Sequence, residues 1–516
     1  MPSAQTSPNI PASTCGQPRS PSPIPEIGAL ALPGAGGGST GPLNREPVLG
    51  IAEPIWVAVK LTHAFIICNV KPLSLQAVEM FETKADTMAS WEQSEWQSSI
   101  ESGLPRRDRR SGTYRRYVPD MLLGSPLLLP HDVDHLVARA EQAVRGLTGN
   151  ARDLAGIARF LLRSEAIASS RIEGIAPSVQ QVALAELGAR ELVPDVSAQA
   201  QLVANNMTVL HEARTVLVAA SAITVEHLLG LHAALLPNEP HHHGVRTVQN
   251  WIGGSDHHPL DADFVPPAPE RVSVLLDDLT GYLNAGGHSP IVQAGLAHAQ
   301  FETIHPFTDG NGRVGRALIH TVLTRRGLTP EAVLPVSLVL STLRSDYIYG
   351  LTAYRHADPV GSTGFHAGQA AWLQVFASAV ITASEQAGRL AAELAELRSD
   401  WADRLHRARM DKGKVRGVRG DSATALIVRD LPATPVLTSA TVQRIHGVSH
   451  VAADRALAEL VAAGILQPHE RRGVRYHQAH DILDLVTVTE RRLASTKFDT
   501  RISPPVRPVA ARGTPT

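Results

Sequence analysis

Residues 305–316 read HPFTDGNGRVGR, and this stretch determines how the rest of the chain is interpreted. It contains a histidine, an aspartate, a Gly-Asn-Gly turn and two arginines. Gly310 and Gly312 carry no Cβ, so the backbone can approach an anion closely. The next N–H groups open a predicted helix and have no partner within it. Together these features predict an anion-binding site at a helix N-terminus.

Side chains around this turn supply the remaining parts of a nucleotide site. Arg313 and Arg316 fall in the first helical turn and offer planar cationic forks that suit phosphate oxygens. Asp309 precedes the turn, where a carboxylate would hold Mg²⁺ against phosphates. His305 ends the preceding helix, and an imidazole there suits removal of a proton from an attacking hydroxyl. A plain polar turn would explain the glycines but not the base, the acid and both arginines together.

The composition limits the function classes. The chain has 516 residues, a length that allows two to four domains, and 48 Lys and Arg against 49 Asp and Glu. This balance argues against a uniformly basic nucleic-acid binder. The two cysteines, Cys15 and Cys68, favour a reducing compartment over a disulfide framework. Charged residues interrupt the apolar run 49–70, so we expect a cytoplasmic protein without a membrane span.

The domain organisation follows from composition and periodicity. Residues 1–46 are rich in Pro, Gly and Ser, and we expect residues 1–87 to be a disordered or mis-assigned extension, with translation starting at Met80 or Met88. The remaining predicted units are an N-terminal region over 88–190, a helical core over 191–407, a linker over 408–421, a winged helix-turn-helix over 422–490 and a disordered tail over 491–516.

Apolar residues at helical spacing predict an all-α core with a small β-hairpin flap. The predicted helices cover residues 132–147, 151–172, 179–187, 196–218, 224–235, 269–283, 290–303, 312–326, 343–354 and 364–408. The turn-rich segment 237–269 is predicted to form the short hairpin, or flap. Its histidine triplet, residues 241–243, is interpreted as an exposed loop and not a metal site, because no cysteine or carboxylate is expected beside it.

The C-terminal region predicts a helix-turn-helix with a wing. Three short helices are expected over 423–430, 438–446 and 450–463, and a wing strand over 474–477. Residues 450–460 would form the recognition helix, which could bind DNA in the major groove. A modest basic face would contain Arg444, Arg455, Arg471, Arg472 and Arg475. Protein contacts or homodimer formation by this module stay open as alternatives.

The stretch 305–316 resembles the signature of the Fic/Doc family, His-x-Phe-x-Asp/Glu-Gly-Asn-Gly-Arg-x-x-Arg, at every specified position. The resemblance extends over about residues 114–405. It implies transfer of AMP from ATP to a Ser, Thr or Tyr hydroxyl of a target protein. It also implies these roles: His305 as the base, Asp309 as the Mg²⁺ ligand, Gly310, Asn311 and Gly312 as the anion hole, Arg313 and Arg316 on the β- and γ-phosphates, and Val314 and Gly315 within the same nucleotide-binding turn.

Three further elements follow from the resemblance. The segment SSRIEG, with Ser169, Glu173 and Gly174, is similar to the family's inhibitory pattern, which implies that Glu173 pairs with Arg316 and blocks the γ-phosphate. The physical basis is competition of a carboxylate and a phosphate for one guanidinium. The segment from Val245 to Gly253 lies where the family holds its target by strand addition. Tyr347 resembles a position near the adenine, although a buried core tyrosine is an equally good interpretation.

Three functions are therefore open. The first is an autoinhibited protein adenylyltransferase that uses ATP and Mg²⁺. The second keeps the fold and removes AMP from a modified protein, with Glu173 positioning a water. The third is a DNA-binding transcription regulator whose core only senses nucleotide, which His305 and Asp309 disfavour because a sensor needs no base. Transfer of UMP or phosphocholine also stays open, because the anion hole contacts phosphates and not the nucleobase.

Overall fold

The computed structural model describes residues 89–99, 103–148, 156–188, 191, 196–285 and 287–496. The predicted extension over residues 1–87 lies outside these ranges. The disordered tail was predicted to begin at residue 491, which is too early. The last helix continues to Thr496, and Leu493 is buried. In the described ranges, no helix is both long and apolar enough to cross a membrane.

Helices dominate the described part of the chain, as predicted. They are α1 His131–Thr148, α2 Ala158–Ile172, α3 Val179–Gly188, α4 Ala198–Ala219, α5 Val225–Leu235, α6 Pro269–Ala285, α7 Pro290–Ile304, α8 Asn311–Arg325, α9 Val336–Thr342, α10 Arg344–Tyr354, α11 Thr363–Asp411, α12 Ala423–Asp430, α13 Ser439–His446, α14 His450–Ala462 and α15 His480–Thr496. Several begin at a Ser or Thr that accepts a backbone N–H of the first turn, which stabilises a helix start. These residues are Ser197, Ser289, Ser362, Ser422, Thr438 and Ser449.

Most predicted helix boundaries are confirmed within a few residues, and two differ. The helix predicted from Ala151 begins at Ala158, and residues 151–155 lie outside the described ranges. Helix α11 runs past the predicted end at Ala408 to Asp411, so the predicted linker over 408–421 begins later. Trp401 and Leu405, one turn apart, are buried near the end of this helix, and that burial favours continued helix.

Helices α7 and α8 form the centre of the core and flank the stretch 305–310. Every residue of α7 is buried, and α8 is buried from Asn311 to Leu323. Ser289 accepts the N–H of Val292, and Pro290 occupies the first position of α7, where its missing N–H costs nothing. The turn between the two helices is thus fixed by packing on both sides.

A two-stranded antiparallel sheet precedes the helices. Strand β1, Ser90–Trp96, pairs with strand β2, Gly112–Val118. The sheet packs its buried side on the last part of the flap, where the Tyr117 N–H donates to Val265 O at 2.9 Å. The Tyr117 and Phe264 rings lie 6.3 Å apart in the same small cluster.

The predicted flap between Pro237 and Pro269 is an irregular hairpin. Antiparallel bridges join Ile252 to Phe264 and Ser255 to His258 without a continuous ladder. Two short 3₁₀ turns, Pro240–His242 and Pro259–Asp261, occupy the rest of the segment. No strand covers residues 245–253 in this described part of the chain, so strand addition there stays a prediction.

The C-terminal module contains helices α12 to α15 and a three-stranded antiparallel sheet. The sheet has the order β3-β5-β4, formed by Val436–Leu437, Val474–Gln478 and Gln467–Arg471. The three short helices and the wing strand were predicted, whereas β3, β4 and α15 were not. The winged-helix interpretation stays a prediction.

The C-terminal module packs directly against helices α2 and α3. Arg163 of α2 is buried and donates to the carbonyls of Pro432 at 3.2 Å and Ala433 at 2.8 Å. The same guanidinium pairs with Glu186 of α3, at 3.1 Å from Nη2 to Oε2. Glu191 accepts hydrogen bonds from hydroxyls at the start of α13. A buried cation that bridges two units in this way makes their association sensitive to its loss.

We predict that Arg163→Ala lowers the free energy of unfolding by about 3–5 kcal/mol, because it leaves Glu186 and two carbonyls without this buried partner. Arg159→Ala is the matched control: Arg159 pairs with the same Glu186 at 3.0 Å, but its side chain is 43% exposed. That change should cost about 1 kcal/mol or less. Urea denaturation followed by circular dichroism measures both, and equal small losses would contradict the inferred role of Arg163.

Candidate active site

His305 is held by its backbone in a left-handed conformation at the end of α7. Its φ is 50° and ψ is 60°, and its N–H donates to Phe301 O at 2.9 Å. Its carbonyl accepts from Arg246 Nε at 2.8 Å and from Asn250 Nδ2 at 3.2 Å. A left-handed non-glycine residue is uncommon, and here several hydrogen bonds enforce it. The flap segment therefore positions the histidine through its backbone.

The imidazole of His305 has the properties of a base that is neutral at physiological pH. Burial lowers the pKa of His305 to about 4; Glu173 opposes this shift, and Arg355 and Arg246 add to it. Its Nδ1 is buried and has no hydrogen-bond partner among the described residues. The neutral ring therefore has one nitrogen lone pair that can accept a proton without first losing one.

Asn311 and His232 fix the loop between His305 and α8. The Asn311 side chain forms two hydrogen bonds of 2.8 Å with the backbone of Phe307, accepting from its N–H and donating to its carbonyl. The Phe307 ring is fully buried and stacks on His232 at 3.9 Å. His232 Nε2 lies 3.0 Å from Asp309 O. The anion-hole role of Asn311 stays a prediction; its side chain holds the loop at Phe307.

Two glycines at the start of α8 allow neighbouring side chains to approach the backbone closely, and the predicted approach of an anion stays a prediction. Gly310 has φ 78° and precedes the first helical residue, Asn311. A Cβ on Gly310 would lie 2.7 Å from a Leu235 methyl carbon. A Cβ on Gly312 would lie 1.9 Å from Glu173 Oε1. The first N–H groups of α8 have no acceptor within the helix, which makes this end suited to an anion.

Arg313 and Asp309 lie side by side at this helix start. Arg313 Nη2 is 3.2 Å from Asp309 Oδ2. The Arg313 side chain is buried, and its Nε and Nη1 have no hydrogen-bond partner among the described residues. Burial lowers the pKa of Arg313, while Asp309 and Glu173 raise it. Buried cationic donors without partners are expected where an anionic ligand supplies the missing acceptors.

Arg316 is occupied by the segment 169–173. Its Nε donates to Ser169 Oγ at 3.0 Å and its Nη2 to Ser169 O at 2.8 Å. Nη2 also lies 2.7 Å from Glu173 Oε1. The Arg316 side chain is 1% exposed and that of Glu173 is 36% exposed. Burial acts to lower the pKa of Arg316, but Glu173, Tyr347 and Glu302 together raise it, so the guanidinium stays charged.

Gly174 determines where the Glu173 carboxylate sits. Helix α2 ends with Glu173 as its C-cap, and Gly174 follows with φ 79°. The Gly174 N–H bonds to Arg171 O at 2.9 Å, and the Ile175 N–H bonds to Ser170 O at 3.0 Å. A glycine in this left-handed position is a common helix terminator. The helix end places the carboxylate beside Gly312 and Arg316.

Three of the predicted nucleotide-binding residues lie behind the anion site. Val314 is fully buried and its N–H bonds to Gly310 O at 3.1 Å, so it serves the helix itself. A Cβ on Gly315 would lie 2.9 Å from Glu302 Oε1, so this glycine permits packing of α7 on α8. Tyr347 is buried, and its hydroxyl lies 2.9 Å from His298 Nε2. The structure thus favours the core-tyrosine interpretation.

Sequence reasoning missed several residues that shape the site. Arg246 and Asn250 hold the His305 backbone, and Glu302 and His298 line the buried side of Arg316. Burial raises the pKa of Glu302 to about 7, whereas Arg316 lowers it and Glu173 raises it further. Burial lowers the pKa of His298 to about 3, and Arg316 adds to this. The sequence could have indicated Glu302 and His298, because polar residues inside an otherwise apolar predicted helix are rarely exposed to solvent.

These features define a helical domain with a helix start suited to an anion, a neutral imidazole and buried arginines. The Fic/DOC family matches residues 222–323, a range that includes the whole stretch 305–316. The part of the chain that carries the site is therefore similar to Fic domains. Protein adenylyltransferase fic-1 of Caenorhabditis briggsae is 36% identical over 119 residues, 22% of this chain and 22% of that protein. Protein adenylyltransferase Fic of Culex quinquefasciatus is 36% identical over 116 residues, 22% of this chain and 21% of that protein.

The chain thus covers less than a quarter of the length of these relatives. Among solved structures, a Fic family protein from Desulfovibrio desulfuricans G20 has a TM-score of 0.42 and 21% identity over 69% of this chain and 98% of that chain. A Fic domain containing signaling protein from Bacteroides thetaiotaomicron VPI-5482 has a TM-score of 0.41 and 19% identity over 50% and 97% of the two chains. Similarities of this size carry no functional argument.

We predict that His305 stays neutral from pH 8 down to about pH 5, because burial places its pKa near 4. Glu173→Gln should lower this pKa further, since the carboxylate that raises it is removed. NMR of the imidazole Cε1–H resonance across this range measures both, and His305→Ala assigns the signal. An inflection near the solvent-exposed value of about 6.5 would contradict the buried environment.

Proposed function

We propose that this protein transfers AMP from ATP to a Ser, Thr or Tyr hydroxyl of a target protein, and that Glu173 restrains the reaction. The contact that carries the proposal is the pairing of Arg316 with Glu173 and Ser169 beside the start of α8. The names of the relatives support the reaction class. The inhibitory segment lies outside the range that matches the family, so its role rests on these contacts.

Residues at the start of α8 are suited to bind the triphosphate. The backbone N–H groups of Asn311 and Gly312 face no acceptor within the helix. Arg313 adds buried donors that lack partners. Arg316 would add a second guanidinium once it leaves Glu173. Such donors stabilise charge on phosphate oxygens during phosphoryl transfer.

Asp309 fits the role of the Mg²⁺ ligand. Its side chain is 55% exposed, and its Oδ2 contacts Arg313, so the other oxygen is free to coordinate. Mg²⁺ prefers one or two carboxylates together with substrate phosphates, and a single exposed carboxylate next to an anion site meets that preference. When bound, the ion would neutralise charge on the phosphates and help to orient them.

His305 would remove the proton from the target hydroxyl. The hydroxyl oxygen then attacks the α-phosphorus, the bond from that phosphorus to the pyrophosphate oxygen breaks, and AMP remains on the protein. The proton moves to a ring nitrogen of His305. Because the pKa of His305 lies below physiological pH, the ring is neutral before the reaction and has a lone pair for this proton.

Glu173 would restrain the reaction by occupying Arg316. A carboxylate and a γ-phosphate compete for the same guanidinium, and both cannot be accommodated by one fork. Helix α2 is anchored independently through Glu165, which is fully buried and accepts from the Ser337 N–H and from His320. Release therefore requires movement of the Glu173 side chain at the helix end and not departure of the whole helix.

We also propose binding partners and a location for the protein. The target would dock on the segment from Val245 to Gly253, in which Val248 is exposed. The C-terminal module could contact DNA, a protein or a second copy of the chain; its α14 carries Arg455 but also Asp454, which pairs with His450. Because α14 carries both charges, its charge does not favour DNA over the other two partners. A cytoplasmic location is consistent with the low cysteine content.

We predict that Glu173→Gly raises transfer of the α-phosphate label from ATP to protein by about tenfold to a hundredfold, the value of one charged hydrogen bond. The same change combined with His305→Ala should abolish labelling. The assay incubates the full chain with Mg²⁺ and α-labelled ATP, with UTP and GTP in parallel, and detects labelled protein by gel and mass. Glu385→Gln, which alters an exposed ion pair, is the control and should change nothing.

Labelling that is equal in the wild-type protein and Glu173→Gly would refute the restraint but keep the transfer. Absence of labelling with all three nucleotides would refute the transfer itself. In that case, release of AMP from a labelled protein by the wild-type chain would support the removal reaction, with Glu173 positioning water. Operator binding without either reaction would support the regulator.

A further inference from the structure

The histidine triplet of the flap lies beside a carboxylate, which the sequence did not indicate. Glu239, His241 and His242 bring one ligand atom each into a group within 4.8 Å of one another. His242 Nε2 is 3.7 Å from Glu239 Oε2, and the rings of His241 and His242 lie 4.1 Å apart. The prediction that no carboxylate lies beside the histidine triplet was therefore wrong.

The backbone of this segment is ordered by its own hydrogen bonds. Pro240–His242 form a 3₁₀ turn in which the His242 N–H donates to Glu239 O at 3.0 Å. Side chains three residues apart lie on the same face of a 3₁₀ turn, which places Glu239 over His242. The Glu239 N–H is itself bound to Leu236 O at 3.0 Å. The backbone of this turn therefore has little conformational freedom left to lose on binding a ligand.

The other nitrogen of His242 has a partner that orients the ring. His242 Nδ1 lies 2.8 Å from Thr308 Oγ1. This leaves Nε2 directed towards Glu239 and free to coordinate. Ligand histidines commonly hold their second nitrogen in such a hydrogen bond, which sets the ring orientation. His243, by contrast, points back to Leu236 O at 2.7 Å and is excluded from the group.

We propose that Glu239, His241 and His242 bind a divalent transition-metal ion such as Zn²⁺. Two imidazole nitrogens and one carboxylate oxygen form a three-ligand set that leaves a fourth position for water. Nitrogen donors favour Zn²⁺ over Mg²⁺, so this site differs in chemistry from Asp309. The proposal does not rest on the proposed reaction.

The metal site would be connected to the anion site through Thr308. Thr308 directly precedes Asp309, and the Asp309 carbonyl contacts His232. Bound metal would fix His242 and so restrict the loop that carries Asp309. Metal binding should therefore raise the melting temperature of the full chain.

Isothermal titration of the EDTA-treated, dialysed full chain with ZnCl₂, in buffer containing MgCl₂, tests the proposal. We expect one Zn²⁺ per chain, bound at least about a hundredfold more tightly than Mg²⁺. Glu239→Gln and His242→Ala should each weaken Zn²⁺ binding by tenfold or more, and Thr308→Val by about tenfold through the lost ring partner. His135→Ala, an exposed histidine on α1, is the control and should leave binding unchanged.

Absence of saturable Zn²⁺ binding, or equal binding in all variants, would overturn the proposal. Circular dichroism checks that each variant keeps its helical content. If His242→Ala lost helical content, Glu239→Gln would decide, because it changes a side chain that is 40% exposed without removing the turn. Unchanged Zn²⁺ affinity in that folded variant would overturn the proposal as well.

Discussion

The Arg316 guanidinium is a buried cation that requires acceptors, and much of the site is arranged around this requirement. Ser169 and Glu173 supply acceptors from the end of α2, while Glu302 lies on the buried side. Removing any partner of a buried charge is costly, so the guanidinium must exchange one anion for another. In our proposal, a phosphate replaces the Glu173 carboxylate. The contact that occupies Arg316 in this structure would then also define which ligands can displace Glu173.

The three glycines of the stretch 305–316 have different structural roles around Arg316. Gly310 allows the left-handed turn, Gly312 gives space to the Glu173 carboxylate, and Gly315 allows α7 to pack on α8. A side chain at Gly312 would overlap Glu173 Oε1, so the contact between Glu173 and Arg316 requires a glycine here. On the opposite side, Arg246 fixes the His305 backbone.

Local patterns predicted the helices and the motif because both depend on short-range rules. Helical spacing, Ser and Pro at helix starts, and the Gly-Asn-Gly turn all act within a few residues. These short-range rules do not predict contacts between segments that lie far apart in the sequence. The pairing of β1 with β2, the role of Arg246 and the bridging by Arg163 each join segments far apart in sequence. The placement of Glu239 beside two histidines depended on a 3₁₀ turn that no periodicity indicated.

We propose that Glu173 and the terminal phosphates of ATP compete for Arg316. The most direct measurement compares the dissociation constants of Mg²⁺–ATP and of AMP for the wild-type chain and for Glu173→Gln, with His305→Ala in both to prevent turnover. The account predicts that Glu173→Gln tightens ATP binding by about tenfold or more and leaves AMP binding unchanged, because AMP lacks the phosphates that would reach Arg316. Equal effects on both nucleotides, or none on ATP, would contradict it.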